Sequence, residues 1–227
     1  MNIGERLAAI AARIAAACAE CDRDPGDVQL LAVSKTRSVE DIRSAYASGQ
    51  RCFGENRVQE LCAKAPQLEA LDVTWHMIGS VQTNKLRDLL RVPHVALLHS
   101  LDRMRLADRL QVECAALGRS LSVLLQVNAS REPAKHGVLP EAAAELMAAV
   151  VADRPAVDVQ GLMAMGPREG DPARVFAQVA ALGESLRQRF GRPLPVLSLG
   201  MTGDLEAAIA AGATLVRVGT GVFGPRA

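Results

Sequence analysis

The 227-residue sequence predicts an α/β fold: a single (β/α)8 TIM barrel with an extra N-terminal helix. Three observations lead there. Short apolar or β-branched runs alternate strictly with helical stretches, so the sheet should be parallel. Runs such as LLAV, VLLQV and TLVRV are nearly continuous in apolar character, as strands covered on both faces are. Eight strand–helix units also fit the small end of the ~200 to more than 400 residues that barrels occupy. An open doubly wound sheet is the competing arrangement.

The elements follow in order. Residues 7–19 are Ala-rich and resemble the apolar core of a signal peptide. However, Arg6, Arg13 and Glu20 recur every seven residues, which puts one polar stripe along a helix. No run approaches the ~18 apolar residues of a membrane span. A cytoplasmic protein with no membrane partner is expected. Strands are expected over 28–35, 51–55, 73–79, 95–100, 121–128, 157–165, 195–200 and 214–219. Helices are expected near 39–48, 57–70, 82–91, 103–118, 140–153, 171–190 and 203–211. Gly49 and Gly118 can end helices, and Pro140 and Pro172 suit first turns. Asp204 favours a helix start. Only three residues follow Gly224, so no helix is expected after the eighth strand, and the first helix is free to cover that side. No Ser/Gly/Pro-rich linker divides the chain, so one domain is expected over residues 1–227.

Composition narrows the chemistry. With 26 basic and 25 acidic residues, the net charge of +1 gives no reason to bind nucleic acid. One Trp, one Tyr and four Phe make base-stacking platforms scarce. Five cysteines, an odd number in a chain of this length, argue against a disulfide framework. Cys18 and Cys21 form a C-x-x-C that closes a helix, and they read as helix residues without a metal. Of the 26 basic residues 22 are Arg and four are Lys: Lys35, Lys64, Lys85 and Lys135. Arginine cannot form a Schiff base, so the covalent amine candidates number four.

Chemistry in a barrel sits at the C-terminal strand ends, and the polar residues fall there. Strand one ends in Ser34-Lys35-Thr36, strand two in Glu55-Asn56, and strand three carries His76. Strand seven runs into Ser198-Leu199-Gly200-Met201-Thr202-Gly203-Asp204, and strand eight into Arg217-Val218-Gly219-Thr220-Gly221. Loops after strands seven and eight are the usual phosphate position, and their glycines let backbone N–H groups approach an anion. The run GTGVFG at 219–224 matches a dinucleotide pattern formally but opens no βαβ unit. Lys35 is the candidate nucleophile; beside a phosphate cradle, its partner would be an aldehyde that carries a phosphate. An ion-paired rim lysine is the plainer alternative. Arg217 points inward with Gly219, either as a buried ion pair with Glu55 or Asp204 or as a donor to a ligand ring nitrogen. Asn56 and His76 contact the ligand or orient Lys35, unless His76 is purely structural. Lys64 reads as a solvated helix residue, and Met163 and Met165 as core packing. Asn128, Glu132 and Lys135 read as loop-fixing groups.

The segments VSKT at 33–36, FGEN at 53–56, WHMIGSVQTNK at 75–85, NASREPAKHG at 128–137, GLMAM at 161–165, LSLGMTGDLEAAI at 197–209 and VRVGTGVFG at 216–224 together resemble the pyridoxal phosphate homeostasis proteins. These are also known as alanine-racemase N-terminal-domain-like proteins. The resemblance covers residues 5–226 and implies a barrel holding pyridoxal 5′-phosphate (PLP). By that resemblance Lys35 forms the internal aldimine, and Arg217 stands beside the pyridine nitrogen. Ser198, Gly200, Met201 and Thr202, with Gly219 and Thr220, belong to the phosphate-binding segments. Asn56 and His76 line the cofactor pocket. Thr202 stands where the family usually has Ser, and Gly203 where a bulkier polar residue is common. The implied role is intracellular PLP (vitamin B6) homeostasis without robust turnover, with PLP-dependent apo-enzymes as candidate recipients; a lone barrel need not dimerize, so a monomer is expected. A PLP-dependent amino-acid racemase is the alternative, but it needs a second base opposite Lys35. The sole Tyr, Tyr46, falls in the first barrel helix, away from the rim.

Overall fold

The computed structural model describes residues 1–225; Arg226 and Ala227, the end of the single domain expected over 1–227, lie outside the described residues. Eight parallel strands close a barrel in sequence order. They are β1 (Gln29–Val33), β2 (Cys52–Glu55), β3 (Thr74–Met77), β4 (Val95–Leu101), β5 (Leu121–Val127), β6 (Val157–Ala164), β7 (Val196–Ser198) and β8 (Leu215–Val218). Closure comes from β1 pairing with β8, where Leu31 stands opposite Arg217 and Ala32 opposite Val218. The open doubly wound alternative is thereby excluded.

Helices α1 (Ile3–Ala19), α2 (Val39–Ala47), α3 (Val58–Lys64), α4 (Leu86–Arg91), α5 (Met104–Ala116), α6 (Ala143–Asp153), α7 (Pro172–Phe190), α8 (Leu205–Ala210) and α9 (Thr220–Phe223) complete the order. Local chemistry starts and stops them. Asn2 and Ser38 each make a reciprocal capping box, with Glu5 and with Asp41. Pro172 occupies the first turn of α7 behind the Asp171 cap. Gly49 and Gly118 follow α2 and α5 with positive φ.

Two sequence expectations change. A one-turn helix, α9, does follow β8, because Gly219 caps it and Val222 and Phe223 bury against the core. Asp204 precedes α8 but makes no side-chain cap; its Oδ1 accepts from Met201 N at 2.6 Å and closes the loop before the helix.

The extra helix α1 packs on α8, α9 and α2, burying Leu7, Ile10, Ile14, Ala17 and Cys18. It thus covers the barrel wall next to the last two strands. Its polar stripe is used as well: Arg13 binds Glu206 and donates to the Thr202 carbonyl at 2.9 Å. Cys18 and Cys21 are free thiols. Among the described residues no helix is long and apolar enough to cross a membrane.

Candidate functional site

A pocket of about 300 Å³ opens at the C-terminal mouth of the barrel. Its lining includes Lys35 after β1, Asn56 after β2, Arg217 in β8, Gly219 and Thr220 after it, and Met201, Thr202 and Gly203 from the β7 loop. Val33, Ile78, Met163 and Met165 make its apolar wall. The two methionines therefore face the pocket and are not core packing alone. A strand's two-residue alternation gives inward positions but not how high the mouth reaches.

Lys35 is half-buried. Among the described residues its amine makes neither a hydrogen bond nor an ion pair, so the rim ion pair weighed from sequence is not formed. The turn beneath it is strongly braced. Thr36, a β-branched residue, sits at φ +63°, a costly conformation unless its surroundings hold it. Its N–H donates to Glu60 Oε1 at 2.5 Å. Glu60 in turn accepts from Lys64 Nζ at 2.6 Å, and Lys64 also donates to Glu55 Oε1 and the Ser34 carbonyl, both at 2.8 Å. Ser34 Oγ donates to Glu55 at 2.7 Å. Lys64 is thus a buried structural cation rather than a solvated one. The Glu60–Lys64 spacing of four residues was the available signal, but burial came from how α3 packs.

Two threonine hydroxyls converge in the pocket that Lys35 also lines. Thr202 Oγ1 and Thr220 Oγ1 are 3.2 Å apart, and Gly221 N–H donates to Thr202 Oγ1 at 3.3 Å. These hydroxyls and loop amides are the donors an anion would use. Gly200 does not line the pocket; it makes the turn possible. Its φ is +81°, and a Cβ there would lie 2.6 Å from Ala208 Cβ.

Arg217 is buried and has no carboxylate partner within ion-pair distance among the described residues. It pairs with neither Glu55, which binds Lys64, nor Asp204, which binds the Met201 amide. Its guanidinium donates to the Ser198 carbonyl and hydroxyl, both at 2.7 Å, and to the Ala164 carbonyl at 2.9 Å. Burial pushes its pKa down to about 10, so it remains charged near neutral pH.

His76 and Ser198 are corrected. Neither lines the pocket; both lie within the barrel and are engaged there. His99 Nδ1 is 3.1 Å from Ser198 Oγ, and its Nε2 is 2.9 Å from His76 Nδ1. His76 Nε2 is 3.4 Å from Cys52 Sγ. Burial lowers the His76 pKa to about 4 and holds His99 well below the usual range, with His76 and Arg217 adding to the His99 effect. In the sequence His99 reads only as one more polar strand-end residue, with nothing to show that it meets His76 and Ser198. As for the rim, Lys135 donates to Ser130, Glu132 and the Gly166 carbonyl, a loop-fixing role.

A family model described as alanine racemase, N-terminal domain, matches residues 6–227. The pyridoxal phosphate homeostasis protein of Pseudomonas aeruginosa is 43% identical over 225 residues, covering 99% of this chain and 96% of that protein. Its Escherichia coli K12 counterpart is 42% identical over 231 residues, covering 99% and 97%. The chain belongs to the pyridoxal phosphate homeostasis protein family. Similar to this member among solved structures is PipY of Synechococcus elongatus with PLP bound, at TM-score 0.85 and 39% identity, covering 98% of this chain and 100% of that one. The alanine racemase of Corynebacterium glutamicum, at 17% identity and TM-score 0.68, shares the barrel fold; this chain covers 60% of it.

Proposed function

We propose that this family member binds PLP at the barrel mouth and serves intracellular PLP homeostasis. The observation that carries the reading is the Lys35 amine, without a partner among the described residues, in a pocket that the Thr202 and Thr220 hydroxyls and a charged Arg217 also line. The pocket's size suits a small ligand, and its donors suit one carrying a phosphate. PLP, when bound, supplies an aldehyde that an amine can hold as a Schiff base. Lys35 is the residue for that bond. Thr202, Gly203, Gly219 and Thr220 would hold the phosphate, with Met201 beside them and Gly200 shaping the loop. Arg217 would face the ring nitrogen, where its charge disfavours a proton. Asn56 would contact the cofactor from just after β2. His76 and Ser198 act from below rather than by contact.

A racemase needs a base on each face of the substrate carbon. The residues lining this pocket supply one amine and no Tyr. Tyr46 lies in α2, its ring under the Arg51 guanidinium. The arrangement therefore favours a binding protein over a racemase.

The test is spectroscopic. Purified protein with PLP should show an absorbance band that borohydride abolishes, and the reduced adduct should map to Lys35. Lys35→Ala should show neither. An adduct retained at the pocket in Lys35→Ala sinks the proposal. Lys35-dependent exchange of an amino-acid α-proton in deuterated water would instead support the racemase.

A further inference from the structure

Five buried or pocket-facing groups from five strands form one continuous polar chain across the barrel: Arg217 (β8), Ser198 (β7), His99 (β4), His76 (β3) and Cys52 (β2). The direction of every hydrogen bond in it follows from its first member. Arginine can only donate, so Ser198 Oγ accepts from Arg217. The Ser198 proton then has one neighbouring acceptor among these groups, His99 Nδ1 at 3.1 Å. Were Nδ1 protonated instead, the serine hydroxyl would be a buried donor without an acceptor, which costs ~1–3 kcal/mol. With Nδ1 bare, a neutral His99 carries its proton on Nε2 and donates to His76 Nδ1. His76 in turn carries its proton on Nε2, which points to Cys52 Sγ.

We infer that Ser198 and His99 are positioning residues for Arg217, held in a one-way hydrogen-bond chain that fixes both imidazoles as neutral Nε2–H tautomers. The cofactor-facing part of this inference rests on the proposed PLP site; the tautomers do not. Two facts reinforce the geometry. Burial disfavours charge on both rings, and no carboxylate offers Arg217 a competing partner within ion-pair distance among the described residues. Among the described residues the guanidinium is therefore oriented by neutral oxygens alone, those of Ser198 and Ala164. Fixing the hydroxyl direction of Ser198 fixes one of its three acceptors.

The experiment uses the full-length 15N-labelled protein, first without added PLP. Long-range 1H–15N correlation should show His76 and His99, assigned by His76→Gln and His99→Gln, with bare Nδ1 and protonated Nε2. The pattern should hold from about pH 5.5 to 8.5, a range in which an ordinary imidazole titrates. An Nδ1–H form on either ring overturns the chain. Ser198→Ala then removes the link. Both rings should lose their single tautomer, the bound-PLP absorbance maximum should shift, and the PLP Kd should rise roughly 3- to 10-fold. Ser198→Thr, which keeps the hydroxyl, should restore the tautomers and the absorbance. An unchanged PLP spectrum and Kd in Ser198→Ala overturns the positioning role. A wild-type protein that takes up no PLP overturns the cofactor reading instead, and the tautomers then decide the chain on their own.

Discussion

Lys64 Nζ lies 2.8 Å from Glu55 Oε1, and both groups are buried behind the turn that carries Lys35. A buried pair of this kind is not strongly stabilising as a pair, but losing one partner strands the other. Glu55 is already pushed upward by burial, an effect that Lys64 and Ser34 oppose, and its Oε2 has no partner among the described residues. Lys64→Met should therefore destabilise the protein by about 3–5 kcal/mol in urea unfolding. The double variant with Glu55→Gln should recover part of the loss. Equal stability of Lys64→Met and the wild type would contradict the brace.

The fold was legible because its signal is local. Each expected strand coincides with an observed one, since apolar runs such as Leu121–Val127 are buried on both faces. Lys35, Asn56, Thr202, Arg217 and Thr220 were legible as strand-end residues, and they meet at one pocket. Lys64 and His76 were misplaced because their surroundings are non-local. Lys64 is buried by the docking of α3 on β2, and His76 by a partner 23 residues away in β4. No spacing rule encodes either contact.

Thr202 and Thr220 should share the phosphate load. A hydrogen bond to a charged group contributes ~1.5–3 kcal/mol. Thr202→Val and Thr220→Val should each raise the PLP Kd by roughly 10- to 100-fold. Lys35 should still be the only residue trapped by borohydride. Fluorescence titration measures the first effect and peptide mapping the second; an unchanged Kd in both variants argues that the phosphate sits elsewhere.

The N-terminal helix reaches the same loop through Arg13, which donates to the Thr202 carbonyl and binds Glu206. This pair is partly exposed, so its own worth is roughly 0–1 kcal/mol. Arg13→Ala should accordingly change thermal stability little. It should raise the PLP Kd a few-fold by loosening the loop, about as much as a bond of that size allows. A large drop in stability with unchanged PLP affinity would reverse this assignment.

Gly200 cannot be replaced cheaply. An alanine there would have to hold φ +81° and place Cβ 2.6 Å from Ala208 Cβ. Strain at one such position costs ~1–3 kcal/mol. Gly200→Ala should lose at least that much in urea unfolding. Gly203→Ala, where a Cβ meets no atom within 4 Å, should lose much less. Similar losses at both positions would show that loop composition, not the turn at Gly200, sets the cost.

The buried imidazoles should make stability depend on pH in a defined window. His76 titrates near 4 in the folded protein against an ordinary 6.5. Between these values the unfolded chain binds a proton that the folded chain does not, so unfolding is favoured as pH falls. The contribution of His76 is complete above pH 6.5 and is lost progressively down to about 4, amounting to about 3 kcal/mol at most. His99 shifts in the same direction and adds to it. Carboxylates begin to titrate at the lower end of this window, so the comparison must be with His76→Gln. Urea unfolding at about pH 7 and pH 5 should show a smaller drop for His76→Gln than for the wild type, whatever its stability at pH 7. Parallel drops would mean that His76 is protonated in the folded barrel, and that burial does not keep it neutral.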